Sequence, residues 1–230
     1  MSIRDYFRKV MYPHTYSSEA YVKYLKAQGV KIGSNCMFYS PTRTHVDTTR
    51  PFLIEIGNDV SITEGVTILA HDYSYSVLNK PYGVMPNPCY ETHIGNNVFI
   101  GMNAIILNGA DIGDNCIIGA GSVVSGKVSS NTVWGGVPAK QICTLEQFHN
   151  KRMEEFDTSA KTYAGKFRDA YGRFPDIKEM GVYISLFLPR TEENKKYFEA
   201  INSRMKNVGE NLFKAVPIYD GYEDFLNKLS

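Results

Sequence analysis

The chain has 230 residues, 43% of them hydrophobic, with 25 basic and 24 acidic side chains and a formal net charge of +1. That balance, with no basic run interleaved with aromatics, argues against a nucleic-acid surface, and the length fits one domain of moderate size with a terminal subdomain. The opening MSIRDYFRKVMYPHTY lacks a signal peptide's apolar stretch, and the longest apolar run, VYISLFL, is far short of the roughly 20 residues that span a bilayer. The expectation is a soluble, cytoplasmic protein with no membrane insertion.

In chain order, SSEAYVKYLKAQG reads as a short helix within an N-terminal segment, 1–29, with Ser18 as cap, Tyr21, Val22 and Leu25 on one face and Gly29 as stop. Beyond it the helical period disappears. Ile32 and Phe38 begin a spacing of six that returns in Ile56, Ile62 and Ile68, and then runs without a break through Ile94, Ile100, Ile106, Ile112, Ile118 and Val124. Four positions after these last six come Val98, Ala104, Ala110, Cys116, Ser122 and Val128, all small or β-branched. A period of six fits neither a helix nor a simple alternating strand. It is the mark of a hexapeptide-repeat solenoid, each unit being one flat strand and one turn.

The aliphatic residue points into a narrow interior, and Gly and Asn serve the turns because positive φ costs them little. Coils stack at about the 4.8 Å spacing of paired strands. The predicted fold class is therefore an all-β solenoid over residues 30–143. Two segments break the phase: RTHVDTTRPFL (43–53), and an excursion loop over 72–93 that holds three prolines and four tyrosines. Residues 144–230 change character to a mainly helical C-terminal region. TLEQFHNKRMEEF opens with a capping box from Thr144 to Gln147, SAKTYAGKFRDAY spaces Tyr163, Phe167 and Tyr171 as a helix does, and TEENKKYFEAINSRM predicts another helix from Thr191. The aromatic stripes there read as packing.

The four cysteines (Cys36, Cys89, Cys116, Cys143) show no C-x-x-C spacing. Core packing in a reducing compartment is their expected role. A prism of flat sheets has almost no cavity, so a ligand site must form where a loop leaves the coil or where two prisms meet. His71, in ILAHDYSYS, stands immediately before the excursion; its plainer reading is a surface or packing histidine. His45 and His93 sit at loop edges. A zinc-dependent trimeric hydratase on the same prism would need three histidines around its metal, and residues 94–143 contain none.

IEIGNDVSITEGVTILAHDYS, then IGNNVFIGMNAIILNGADIGDNCIIGAGSVVSGKVSSNTVWGGVPAKQI with its closing G-x-P-A-K run, resemble the hexapeptide-repeat acyltransferases, most of all the maltose and galactoside O-acetyltransferase-like group. The resemblance implies a left-handed parallel β-helix, a homotrimer with active sites between neighbouring prisms, acetyl-CoA as donor and no metal. It implies His71 as the general base that takes a proton from an acceptor hydroxyl as it attacks the thioester. It places Met102, Ala120, Ser125, Lys127, Trp134 and Lys140 on the donor, although Met102 stands where relatives often have a small polar residue and Ser125-Gly126-Lys127 where they have Thr-Lys.

Tyr39, Asp47 and Tyr73 fall on the acceptor side, where Asp47 either binds the sugar or caps a turn and the loop tyrosines either stack on a sugar or pack on a neighbouring subunit. The tail, with CTLEQFHNKR and YDGYEDFL, is reminiscent of members linked to bacterial surface polysaccharides. The expected function is acetyl transfer to a sugar or glycan hydroxyl. An N-acyltransferase on an amino sugar and a non-catalytic scaffold are the competing readings.

Overall fold

In the computed structural model, which describes residues 7, 9–201 and 208–229, the period-six segments are short strands that visit three sheets in rotation. The first circuit is β1 (Lys31–Ile32), β2 (Met37–Phe38) and β3 (His45–Val46). The second is β4 (Ile54–Ile56), β5 (Ser61–Ile62) and β6 (Thr67–Ile68), and the third is β7 (Thr92–Ile94), β8 (Phe99–Ile100) and β9 (Ile105–Ile106). The fourth is β10 (Asp111–Ile112), β11 (Ile117–Ile118) and β12 (Val123–Val124), followed by β13 (Lys127–Val128), β14 (Thr132–Gly135) and β15 (Lys140–Thr144).

Sheet I stacks β1-β4-β7-β10-β13, sheet II stacks β2-β5-β8-β11-β14 with β15 on its end, and sheet III stacks β3-β6-β9-β12. Every pairing is parallel except β14 with β15. Because each strand bonds to the coil above and below, two residues of strand per face suffice to satisfy the backbone.

The interior columns are the aliphatics of the repeat. Ile56, Ile94 and Ile112 align in sheet I, Ile62, Ile100 and Ile118 in sheet II, and Ile68, Ile106 and Val124 in sheet III. All are buried, each worth about 1.5–3 kcal/mol on transfer from water. At one corner Asn97, Asn115 and Asn131 adopt positive φ, and their amides bond in a ladder, Asn97 Nδ2 to Asn115 Oδ1 at 2.8 Å and Asn115 Nδ2 to Asn131 Oδ1 at 3.1 Å. The glycines beside the aliphatics answer a closer constraint. A Cβ on Gly95 would lie 2.8 Å from the carbonyl carbon of Gly113 in the next coil.

Several expectations change. Helix α1 (Ser18–Gln28) is capped by Ser17, whose hydroxyl accepts from the Ala20 amide; Ser18 Oγ accepts instead from Phe38 N at 2.9 Å and ties the helix to the coil. The 43–53 interruption contains β3, so the chain there keeps its place in the stack and only the turns on either side are longer. The excursion ends before Thr92, where β7 begins, and carries a short helix, α2 (Ser76–Tyr82), with no buried residue. After Val124 the corner is two residues shorter. Val128, expected at a corner, therefore aligns with Ile112, and Trp134 aligns with Ile118. Cys116 is buried, but Cys89 is exposed and lies outside the core.

The chain divides into two compact units, 1–148 and 149–230. Thr144 and Gln147 form the expected reciprocal cap at the start of α3 (Leu145–Tyr171), a single helix where the sequence suggests two segments. The second unit has its own core, with Ala160, Ala164, Met180, Ile184, Phe187, Phe198 and Phe225 buried together. Its remaining helices are α4 (Glu192–Ala200), capped by Thr191, then α5 (Val208–Lys214) and α6 (Tyr222–Asn227). Residues 202–205 of the helix expected from Thr191 lie outside the described residues. Among the described residues no helix is long and apolar enough to cross a membrane.

Candidate active site

The edge where sheet III turns toward sheet I brings two sequence candidates into contact. Asp47 follows β3 and His71 follows β6, one coil further along. Asp47 is only 2% exposed, and its carboxylate accepts from Thr49 N at 2.8 Å and from Ala70 N at 2.9 Å. Its Oδ2 also receives Nδ1 of His71 in a short hydrogen bond. Burial alone would push this carboxyl up, since the charged form loses water. The amide and hydroxyl of Thr49, the Ala70 amide and the His71 ring outweigh burial and hold it at about 2.

An ionised Asp47 must accept, so Nδ1 of His71 carries the proton, and in the neutral imidazole Nε2 then presents a lone pair. Among the described residues nothing bonds Nε2. The His71 side chain is 17% exposed, with the ring of Tyr73 standing edge-on at 4.3 Å between centroids. Tyr73 itself is 60% exposed, on a turn in which Asp72 accepts from the amide and hydroxyl of Ser74.

Asp47, expected toward the acceptor, is buried and bonds His71. The turn-capping alternative holds as well, through its bond from Thr49 N. The partnership was hidden in the sequence because the two residues stand 24 positions apart, across an interruption of uneven length.

The other candidates separate. Ser125 lies on the same edge, beyond β12, and is exposed. Tyr39, Met102 and Ala120 fall on the edge between sheets II and III, and are exposed. Met102 and Ala120 are neighbours in adjacent coils, where Gly121 N donates to Met102 O at 2.7 Å. Lys127 is on the outer face of sheet I beside Asp111, and Lys140 is on β15. Trp134 is partly buried, its ring packed against the interior cluster and its Nε1 donating to Thr132 Oγ1 at 2.9 Å. His93 pairs with the exposed Asp111 at 3.0 Å, and His45 is exposed on β3. Among the described residues no group of three or more His, Cys, Asp or Glu side chains is placed to hold a metal ion. A cavity of about 840 Å³ in the second unit, lined by Ile177, Ile184, Tyr197 and Ile201 among others, contains none of these candidates.

Residues 91–126, within this stack of parallel strands, match the family described as bacterial transferase hexapeptide (six repeats). Protein CapG of Staphylococcus aureus is 42% identical over 60% of this chain and 78% of its own length. The galactoside O-acetyltransferase of Escherichia coli (strain K12) is 36% identical over 40% of this chain, which spans 44% of that enzyme. Among solved structures, a maltose O-acetyltransferase from Clostridium difficile 630 is 28% identical, covering 55% of this chain and 75% of its own, at a TM-score of 0.38. The chain belongs to the hexapeptide-repeat transferase family. Within it, this protein is an acyltransferase.

Proposed function

We propose that this protein moves an acetyl group from acetyl-CoA to a hydroxyl of a sugar or surface-polysaccharide precursor, with His71 as general base and Asp47 holding it. The observation that carries this reading is the Asp47–His71 pair at the mouth of the excursion. A hydroxyl is too weak an acid to attack a thioester unaided at neutral pH. Nε2 takes its proton as the oxygen bonds to the carbonyl carbon, and ionised Asp47 stabilises the imidazolium that forms. As the carbon–sulfur bond breaks, the imidazolium returns the proton to the departing thiolate. The galactoside O-acetyltransferase relative supports the acetyl group and a sugar hydroxyl.

On this reading the coil is a left-handed parallel β-helix, and the protein is a cytoplasmic homotrimer. The base lies on one edge of the prism while Tyr39, Met102 and Ala120 lie on another, and a trimer lets one protomer's base edge face its neighbour's donor edge. Ala120, Met102, Ser125, Lys127 and Lys140 are then the donor contacts, with Tyr39 and Tyr73 toward the acceptor. The 1–29, 30–143 and 144–230 division serves as helical segment, catalytic coil and helical region.

His71→Ala tests the proposal. The variant should keep its melting temperature and its acetyl-CoA affinity, and lose kcat by about 10²–10⁴-fold. A folded variant that keeps more than about a tenth of wild-type kcat would show that His71 is not the base. A thermal-shift titration in which acetyl-CoA does not stabilise the protein would favour a scaffold instead, and an amide product would move the acceptor to an amino sugar.

A further inference from the structure

We propose that Thr92 is a positioning residue for His71, acting through the peptide between Leu69 and Ala70; the inference rests on the general-base reading above. Thr92 opens β7 on the far side of the excursion and is 0% exposed. Its hydroxyl donates to Leu69 O at 2.8 Å and accepts from Gly109 N at 3.2 Å. The peptide group whose carbonyl receives Thr92 is the one whose N–H, on Ala70, donates to Asp47 Oδ2. That same oxygen holds Nδ1 of His71.

One line of hydrogen bonds therefore runs from the Gly109 amide through Thr92, across a single peptide, through Asp47 and onto the imidazole. As far as Asp47 each bond polarises the next, strengthening it by about 10–30%; at Oδ2 the Ala70 and His71 donors converge, so the line acts on the imidazole by fixing where that oxygen sits. A carbonyl held by a hydroxyl also fixes the plane of its peptide, and with it the aim of the Ala70 N–H.

The excursion gives that peptide little other support. Its residues 72–91 are exposed apart from Tyr75 and Asn87, which are half-buried, and α2 buries nothing. Thr92 closes the neck by binding the outgoing strand at Leu69 to the coil beyond at Gly109. Gly109, at φ +79, leaves room for the returning chain, since a Cβ there would lie 3.0 Å from that of Tyr90. A residue that merely started a strand would need none of this, because the neighbouring β7 amides already pair with sheet I.

The test compares Thr92→Val, of nearly the same shape without the hydroxyl, with Thr92→Ser, which restores it. Thr92→Val should lower kcat about tenfold with KM for acetyl-CoA unchanged, the signature of a displaced base rather than a lost binding contact. Thr92→Ser should recover most of that loss. In an Asp47→Asn background, Thr92→Val should change kcat by less than about twofold, because its route to His71 is already cut. A folded Thr92→Val with full turnover, or a loss repeated undiminished in the Asp47→Asn background, overturns the inference. If the valine variant fails to fold, Thr92→Cys takes its place. Its weak S–H donor should lose turnover that Thr92→Ser keeps, and equal turnover in the two refutes the relay. His71→Ala with turnover intact removes the general-base reading and this inference together. An inactive His71→Ala beside a fully active Thr92→Val removes this inference alone.

Discussion

Replacing Asp47 by Asn changes one atom and should separate two roles of the carboxylate. The folded-state value of about 2 against the ordinary 3.8 corresponds to about 2 kcal/mol of native-state preference for the charged form. The folded value lies below the unfolded one, so that contribution is complete above pH 3.8 and is lost as pH falls toward 2. Asp47→Asn should lower stability at neutral pH by about 1–3 kcal/mol, because one amide oxygen must now serve donors that a carboxylate divided between two. It should also flatten the fall in stability with acid over that window.

The effect on rate follows from the proton's position. An Asn side chain can donate its N–H to Nδ1, which moves the imidazole proton to Nε2 and leaves no lone pair facing the acceptor. A wrong tautomer of this kind should cost about 10²–10⁴ in kcat, with KM for acetyl-CoA unchanged. Denaturant titrations at several pH values and steady-state kinetics at neutral pH measure the two effects. An Asn variant of normal stability whose kcat stays within about threefold of wild type would refute the pairing as a functional unit.

Gly95→Ala should destabilise the coil by about 1–3 kcal/mol, since its methyl would meet the backbone of Gly113 and the Asp114 carboxylate at under 3 Å; an unchanged denaturation midpoint would mean the coils have room to part. Ala120→Tyr should raise KM for acetyl-CoA about tenfold, a loss of about 1.4 kcal/mol of binding, with the fold intact; unchanged affinity would put the donor elsewhere. Light scattering should give the mass of three chains under assay conditions, and an active monomer would remove the inter-subunit site.

The stack of short parallel strands was legible in the sequence because its cause is local. A narrow interior demands an aliphatic residue at every sixth position, and a tight corner demands a small one, so Ile94 to Val124 announce the coil without any knowledge of what lies above or below. The capping box at Thr144 and the stop at Gly29 are local in the same sense. Nothing local announces Asp47 as the partner of His71. That contact depends on the summed lengths of uneven turns between β3 and β6, which return the chain to the same edge one coil later.

Trp134 shows the same dependence in reverse. A corner two residues short after Val124 brings it into register with Ile118. Thr92 lies at the limit of this reasoning, an ordinary strand residue by sequence. Only the stacking of one coil on the next places its hydroxyl between Leu69 and Gly109. Periodicity determined what each coil is made of, and the register between coils decided which side chains meet, because hydrogen bonding from coil to coil counts positions along the prism rather than along the chain.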